Sequence, residues 1–399
     1  MQDSDYSQSW AFSAHASAYI NETFSQLQSG KESLGILNKL RKDLSVEQAR
    51  TVVEIAELRI RARQKFREFE RMFFTRAALE MASSEIIANF KAERFRQFAT
   101  IADICCGIGG DLISLARVTE TCTGIDSDSY VVECANKNLA AYGLAPCAQT
   151  GSFHPDLAGS YSAMHIDPER RAGGRSTVGH SFSPPLDEML ALTSAHSVGI
   201  KVAPATRIDA AQSKELELCW IGHQRECKQQ MIWSGELSQH RGQKVAISLD
   251  TQSQSFFSCD IAEAEKSLPK LAAQVKRYCF EPHNAVLAAR LEDALGNQFN
   301  LEKFSTEIAY FTSDQCVDHG LLNGFETLEV VPASVKKVSE ALARHKFSDL
   351  EIKKRGLPES FARQFKFKSK SSGQSRGTLI LSILGGKRIA IVAKRLAST

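Results

Sequence analysis

The sequence predicts an α/β protein: a helical N-terminal segment, then a parallel sheet with crossover helices, then a small mixed α/β unit. Three observations carry this. Residues 1 to about 95 hold almost no glycine or proline and keep apolar residues at helical spacing. From Thr100 onward, short apolar runs alternate with helical patterns, as parallel strands joined by helices require. Beyond about Lys276, strand and helix signals mix and basic residues accumulate.

In the first segment, Ser45-Val46-Glu47-Gln48 has the spacing of a capping box, with Gln48 placed to bond back to the Ser45 amide. Val52, Val53, Ile55, Ala56 and Ile60 then form a helical stripe. After a break at Arg71–Thr75, Thr75 is placed to cap a helix whose inner face would include Leu79, Ala82, Ile86 and Phe90. The alternating region runs through strands at Ile101–Cys106, Cys122–Ile125, Met164–Ile166 and Val198–Val202. Helices are expected from Asp111 and over Ser129–Tyr142. Gln229–Trp233 and Lys244–Leu249, joined by a polar turn, suggest an antiparallel hairpin closing the sheet. Thr251–Ser255 opens a linker.

In the last unit, Thr327–Val331 reads as a strand, and Ser334 caps a helix through Arg344. Gly385-Gly386 joins Thr378–Leu384 to Lys387–Ala393 as a two-residue hairpin turn. The expected domains are 1–95 helical, 96–255 α/β, 256–275 linker and 276–399 basic.

A chain of 399 residues exceeds one core, and its 43% hydrophobic and 24% charged content suits a globular protein. No apolar run is long enough to span a membrane, and the polar start carries no secretory signal. The ten cysteines form no CxxC pair, so no metal site is expected and a reducing cytoplasm fits. The net charge of +3 hides an asymmetry: Lys336–Thr399 holds 16 Lys and Arg against 4 Asp and Glu, or +12. The rest therefore carries 3 − 12 = −9. Such an end attracts polyanions, although a solvated lysine-rich face looks the same in sequence.

Asp103-Ile104-Cys105-Cys106-Gly107-Ile108-Gly109-Gly110-Asp111 lies between a strand and a helix, where glycines let backbone approach a ligand. Asp126 ends the next strand, 23 residues after Asp103, at a tip where a carboxylate can take both ribose hydroxyls of an adenosine. A dinucleotide site wants G-x-G-x-x-G and an anion at the helix start. Here the third glycine directly follows the second, and the Asp111 carboxylate would repel a pyrophosphate. It could instead accept a methionine amino group, so the pattern favours S-adenosylmethionine.

These residues resemble class I S-adenosylmethionine-dependent methyltransferases, in particular bacterial members with a THUMP-like C-terminal domain. The likeness runs through MFFTRAALEMAS, DICCGIGGD, HIDPERR, EPHNAVLAARL, LEIKKRG and GGKRIAIVAKR. The middle is also similar to trimethylguanosine synthase, where a Thr-containing segment before the fold helps close the cofactor pocket; Phe74-Thr75 matches its place. The resemblance implies a Rossmann-like seven-stranded methyltransferase sheet. It makes Thr75, Asp103, Cys105, Gly107, Gly109, Gly110, Asp111 and Asp126 the candidate cofactor residues. Many relatives carry an acid where this chain has Ser152, which can still hydrogen-bond.

Asp167-Pro168-Glu169-Arg170-Arg171 follows the fourth strand, where this fold places its chemistry. Asp167 and Pro168 match the D/N-P-P-aromatic loop that holds an exocyclic amine, but no aromatic follows. An arginine plane can stack on a base or clamp a phosphate, so Asp167, Pro168, Arg170 and Arg171 are the candidate catalytic set. Arg170 and Arg171 could also simply pair with Asp187 or Glu188. Uridine C5-methyltransferase chemistry is excluded: Val202 stands where the cysteine nucleophile would be.

The basic unit offers Lys353, Lys354 and Arg355 as nucleic-acid contacts, with Lys366-Phe367-Lys368 alternating charge and aromatic. The expected activity is methyl transfer to RNA (tRNA or rRNA), at a base amino or ring nitrogen. The alternatives are a small-molecule or protein acceptor, or a non-catalytic module binding S-adenosylmethionine and RNA.

Overall fold

The computed structural model describes residues 9–170, 182–250, 253–365 and 375–397. The chain forms two compact units: Met1–Val202 with Ile232–Ser238, and Ala203–Met231 with Gln239–Thr399.

The first unit opens with helices α1 (Ala14–Gln28), α2 (Ser33–Leu40) and α3 (Val46–Ala62). The expected capping box is present: Ser45 accepts from the Gln48 amide while the Gln48 side chain accepts from the Ser45 amide. The expected long helix after Thr75 is in fact two, α4 (Arg76–Met81) and α5 (Glu85–Ala92). Lys65 Nζ explains the break, donating to the carbonyls of Leu79, Glu80 and Ala82 at 2.7, 3.0 and 2.8 Å. That cation closes the end of α4. Restarting at Ser84 rotates the inner face, so Ile87 and Lys91 are buried rather than Ile86 and Phe90.

The α/β layer then follows: β1 (Thr100–Ile104), α6 (Leu112–Val118), β2 (Thr121–Asp126), α7 (Ser129–Ala141), β3 (Ala148–Thr150) and β4 (Ala163–Ile166). A short ladder β5 (Glu169–Arg170) with β6 (Phe182–Ser183), helix α8 (Leu186–Leu192) and β7 (Val198–Val202) complete it. These strands stand in the order β7-β4-β1-β2-β3, all parallel. Strand order reverses between β1 and β4, so a crevice opens at their carboxyl ends.

The second unit begins with β8 (Glu217–His223), β9 (Glu226–Trp233, whose last two residues count with the first unit), β10 (Gln243–Leu249) and β11 (Gln254–Asp260). Their order is β11-β10-β8-β9, which corrects the expected hairpin. β10 pairs with β8 in parallel and with β11 antiparallel, and the tight turn instead joins β8 to β9. Its two residues, Gln224 and Arg225, both take positive φ, at 50° and 67°. The expected linker 256–275 also gives way to structure, because β11 and helix α9 (Ile261–Lys266) occupy its first half.

The rest folds around a seven-stranded sheet: β12 (Tyr278–Pro282), α10 (Asn284–Ala289), α11 (Glu292–Gln298), β13 (Glu302–Lys303), β14 (Phe311–Ser313), β15 (Leu322–Pro332), α12 (Val335–His345), β16 (Asp349–Lys354), β17 (Arg376–Leu384) and β18 (Lys387–Arg395). The order is β13-β14-β12-β15-β18-β17-β16, with Leu384 opposite Lys387 at the expected glycine turn. Alternation along β17 feeds two cores: Leu379 and Leu381 pack with Val338 and Ala341 of α12, Ile380 with Tyr310 and Phe325. Ser334 caps α12 as expected, accepting from the Lys337 amide. Lys366-Phe367-Lys368 lies outside the described residues.

Candidate functional site

The carboxyl ends of β1, β2 and β4 border a cleft of about 790 Å³, counting its open mouth. Thr75, Asp103, Cys105, Gly107, Gly110, Asp111, Asp126, Asp167 and Pro168 all line it. Two loop features shape the floor. Gly109 takes φ 84°, which strains any side-chain-bearing residue, and a Cβ on Gly110 would lie 3.2 Å from Ala82 Cβ. Asp126 ties the second strand to this loop: Oδ2 accepts from the Gly107 amide at 2.9 Å and Oδ1 from the Asp128 amide at 3.1 Å.

Thr75 satisfies both of its readings, because it lines the cleft while its Oγ1 accepts from the Ala78 amide at 3.2 Å. Ser152 borders a neighbouring recess with Asp126, Phe153 and Glu188. Burial, with Asp126 and Asp167 nearby, pushes the Cys105 thiol up to about 12, so it is neutral and unreactive near pH 7.

Beneath the floor lies a polar network that the sequence did not reveal. His165, fully buried on β4, approaches Asp103 Oδ1 through Nδ1 at 2.7 Å. Its Nε2 is 3.3 Å from Lys91 Nζ. Lys91, itself 1% exposed, pairs with Asp111 Oδ1 at 2.7 Å and donates to Ser83 Oγ at 3.1 Å. Ser83 in turn donates to Asp111 Oδ2 at 2.9 Å. Lys91 and Ser83 thus both hold Asp111, whose carboxylate lines the cleft and whose Oδ1, beyond the Lys91 ion pair, has no hydrogen-bond partner among the described residues. Asp103 Oδ2 is likewise buried with no hydrogen-bond partner among the described residues.

The electrostatics follow from this wiring. Burial alone would raise the Asp111 pKa, but Lys91, His165 and Lys201 outweigh it and hold the carboxyl well below the usual range. Burial raises Asp103, and His165 offsets this only in part. Burial likewise lowers Lys91 despite Asp111.

On the β4 side, Lys201 Nζ sits 2.6 Å from Asp167 Oδ2 and 3.0 Å from the Met81 carbonyl. The other Asp167 oxygen has no partner among the described residues. Val202, beside Lys201, is buried in β7 as a core residue. Arg171 and the Arg170 side chain lie outside the described residues. Lys353, Lys354 and Arg355 stand in the second unit, each facing an acid: Lys353 and Arg355 meet Glu281 at 2.6 and 3.6 Å, and Lys354 meets Glu359 at 2.8 Å.

The sequence alone assigns no role to Ser83, Lys91, His165 or Lys201. A signal existed for two of them: Lys91 falls at a helix position whose neighbours one turn back, Ile87 and Ala88, are buried, and Lys201 interrupts the apolar strand VGIKV. Among the described residues, no helix is long and apolar enough to cross a membrane, and no cluster of His, Cys, Asp or Glu is suited to a metal.

Comparison with known proteins agrees with this architecture. Residues 98–151 match the RNA cap guanine-N2 methyltransferase family, and residues 322–395 match the THUMP domain-like family. Two Mycobacterium tuberculosis proteins, from strains CDC 1551 / Oshkosh and H37Rv, are 26% identical over 341 residues, covering 81% of this chain and 90% of theirs. Both are described as uncharacterised S-adenosylmethionine-dependent methyltransferases. A crystal structure from Porphyromonas gingivalis W83, assigned provisionally as a methyltransferase, shares the fold with a TM-score of 0.75 at 19% identity, covering 97% of this chain and all of its own. A Gly-rich loop between β1 and α6, an acid at the tip of β2 and these matches together support a class I S-adenosylmethionine-dependent methyltransferase with a THUMP-like C-terminal domain.

Proposed function

We propose that this methyltransferase acts on RNA and delivers the methyl group to a base nitrogen. One observation carries the acceptor chemistry: Asp167-Pro168 follows β4 at the cleft, with one Asp167 oxygen fixed by Lys201 and the other uncommitted among the described residues. A carboxylate held this way can accept a hydrogen bond from an amine and orient its lone pair for in-line attack. The RNA half is supported by the two family matches and by the +12 charge of Lys336–Thr399.

The cleft suits the cofactor on a specific count. The buried oxygen of Asp103 that has no hydrogen-bond partner among the described residues meets the need of a methionine ammonium, and Asp126 is placed for ribose hydroxyls. Asp111, held by Lys91 and Ser83, braces the loop and shares the same side of the cleft toward the ammonium; Gly107, Gly109 and Gly110 admit the ligand, and Thr75, Cys105 and Ser152 border it. When bound, S-adenosylmethionine supplies an electrophilic methyl on a sulfonium. Pro168, Arg170 and Arg171 are assigned to the acceptor side.

One observation favours a small-molecule or protein acceptor instead: Lys353, Lys354 and Arg355 pair internally and leave less free positive charge for RNA.

Transfer of labelled methyl from S-adenosylmethionine to purified RNA, followed by mass spectrometry of nucleosides, decides the matter. Label should appear in a base and vanish with Asp167→Ala, whereas Asp126→Ala should weaken cofactor binding by about 1.5–3 kcal/mol. Label on protein or metabolite alone would select the second reading.

A further inference from the structure

The second unit holds a separate cleft of about 1110 Å³, counting its open mouth. Three elements bring a cation to it: Arg207 from the segment after β7, Lys244 from the start of β10, and Arg290 at the end of α10. None of the three forms an ion pair among the described residues, and Glu265 is the one acid on the lining. Gathering like charges in one concavity is unfavourable unless an anion joins them. Arg290 also takes a left-handed backbone, φ 55°, where Gly or Asn would be easier.

The polar groups agree. Thr206 Oγ1 is buried without a hydrogen-bond partner among the described residues, leaving a hydroxyl able to donate. Trp220 gives its indole N–H to the Pro204 carbonyl at 2.9 Å and is otherwise a buried apolar wall. Two guanidinium forks, an ammonium and a hydroxyl against an apolar wall match the oxygens of a phosphate.

We propose that this cleft is a phosphate-binding site, and that it holds a backbone phosphate of the RNA acceptor. The identity of the ligand rests on the RNA reading above; the phosphate chemistry rests on the cleft alone.

The test uses the full chain, a labelled single-stranded RNA oligonucleotide, and inorganic phosphate and adenosine monophosphate as small probes. The triple variant Arg207→Gln, Lys244→Gln, Arg290→Gln should bind the oligonucleotide at least tenfold more weakly. The slope of log affinity against log salt should shallow by about 0.7, the value for one phosphate contact on a single strand. S-adenosylhomocysteine binding, read in parallel, should not change and shows that the variant is folded. Wild-type RNA binding with an unaltered triple variant would overturn the cleft and leave the RNA reading standing. Phosphate or adenosine monophosphate binding that is lost in the variant, with no RNA binding, would keep the cleft and overturn the RNA reading. Binding of neither probe class overturns both.

Discussion

Lys201 Nζ lies 2.6 Å from Asp167 Oδ2, with only 14% and 25% of the two side chains exposed. Burial alone would lower the Lys201 pKa, but Asp167 and then Asp111 outweigh it and raise it, so the lysine stays charged. The Lys201 charge fixes the carboxylate that we assign to the acceptor. Lys201→Met should slow methyl transfer about 10- to 100-fold, the loss of one charged hydrogen bond, with cofactor affinity within a few-fold. Lys201→Arg should recover part of the rate. Single-turnover kinetics check this, and equal loss of cofactor binding would show that the pair merely supports the pocket.

Asp103 sets a second expectation, in pH. Burial raises its pKa above the ordinary 3.8, so the folded carboxyl protonates earlier in acid than a free one does. A protonated Asp103 no longer attracts an ammonium. Affinity for S-adenosylhomocysteine should therefore fall as pH drops, over a window lying above 3.8. Calorimetry across pH reads this. Asp103→Asn should bind weakly throughout and lose that dependence; an unchanged profile in the variant would assign the ammonium elsewhere.

The Lys91–Asp111 pair governs stability in acid. The folded pKa of Asp111 lies below its unfolded value, so the pair's contribution is fully present above pH 3.8 and is lost as pH falls below it. Asp111→Asn strands a buried ammonium and should cost about 3–5 kcal/mol at neutral pH. That deficit should shrink below pH 3.8. Lys91→Met should cost a similar amount, and the double variant less than the sum, because neither charge is then left alone. Denaturant melts at two pH values test both statements. Additive costs would mean that the two residues act separately.

How much of this could be read beforehand depends on where the partners sit. The glycine loop and Asp126 were legible because strand, loop and strand tip lie close in sequence and the glycines announce the turn. His165 and Lys91 were not, being 74 residues apart and paired only once α5 packs on the strands. The β8–β9 turn was missed because Gln224 and Arg225 adopt positive φ without the Gly or Asn that usually marks it. β11 looks like linker in the sequence because it is the last strand in its row, and an edge tolerates the polar sequence QSFFSCD. Asp111 lines the cleft, but its partners come from earlier in the chain, Lys91 from α5 and Ser83 from the link between α4 and α5.

The basic cluster 353–355 separates charge count from charge availability. Lys353, with 15% of its side chain exposed, pairs with Glu281 at 2.6 Å and sits 3.7 Å from Glu351. Arg355 approaches the same Glu281, and its guanidinium lies 5.6 Å from the Tyr310 ring centre. Lys353→Ala would leave Glu281 undercompensated in a partly buried site, so its main effect should be a stability loss of about 1–3 kcal/mol. Lys336 and Lys387 differ: they are exposed, and neither forms an ion pair among the described residues. If RNA phosphates meet this unit, Lys336→Ala with Lys387→Ala should shallow the salt slope by roughly 1.4 to 1.8 and leave the melting temperature nearly unchanged. Substituting all three of Lys353, Lys354 and Arg355 should do the reverse, lowering the melting temperature by several degrees while changing the slope by less than the roughly 2 to 3 units that three free contacts would give. Filter binding at two salt concentrations, beside thermal melts of the same samples, reads both quantities. A large slope change with an unmoved melting temperature in the triple variant would show that these ion pairs open to receive phosphate.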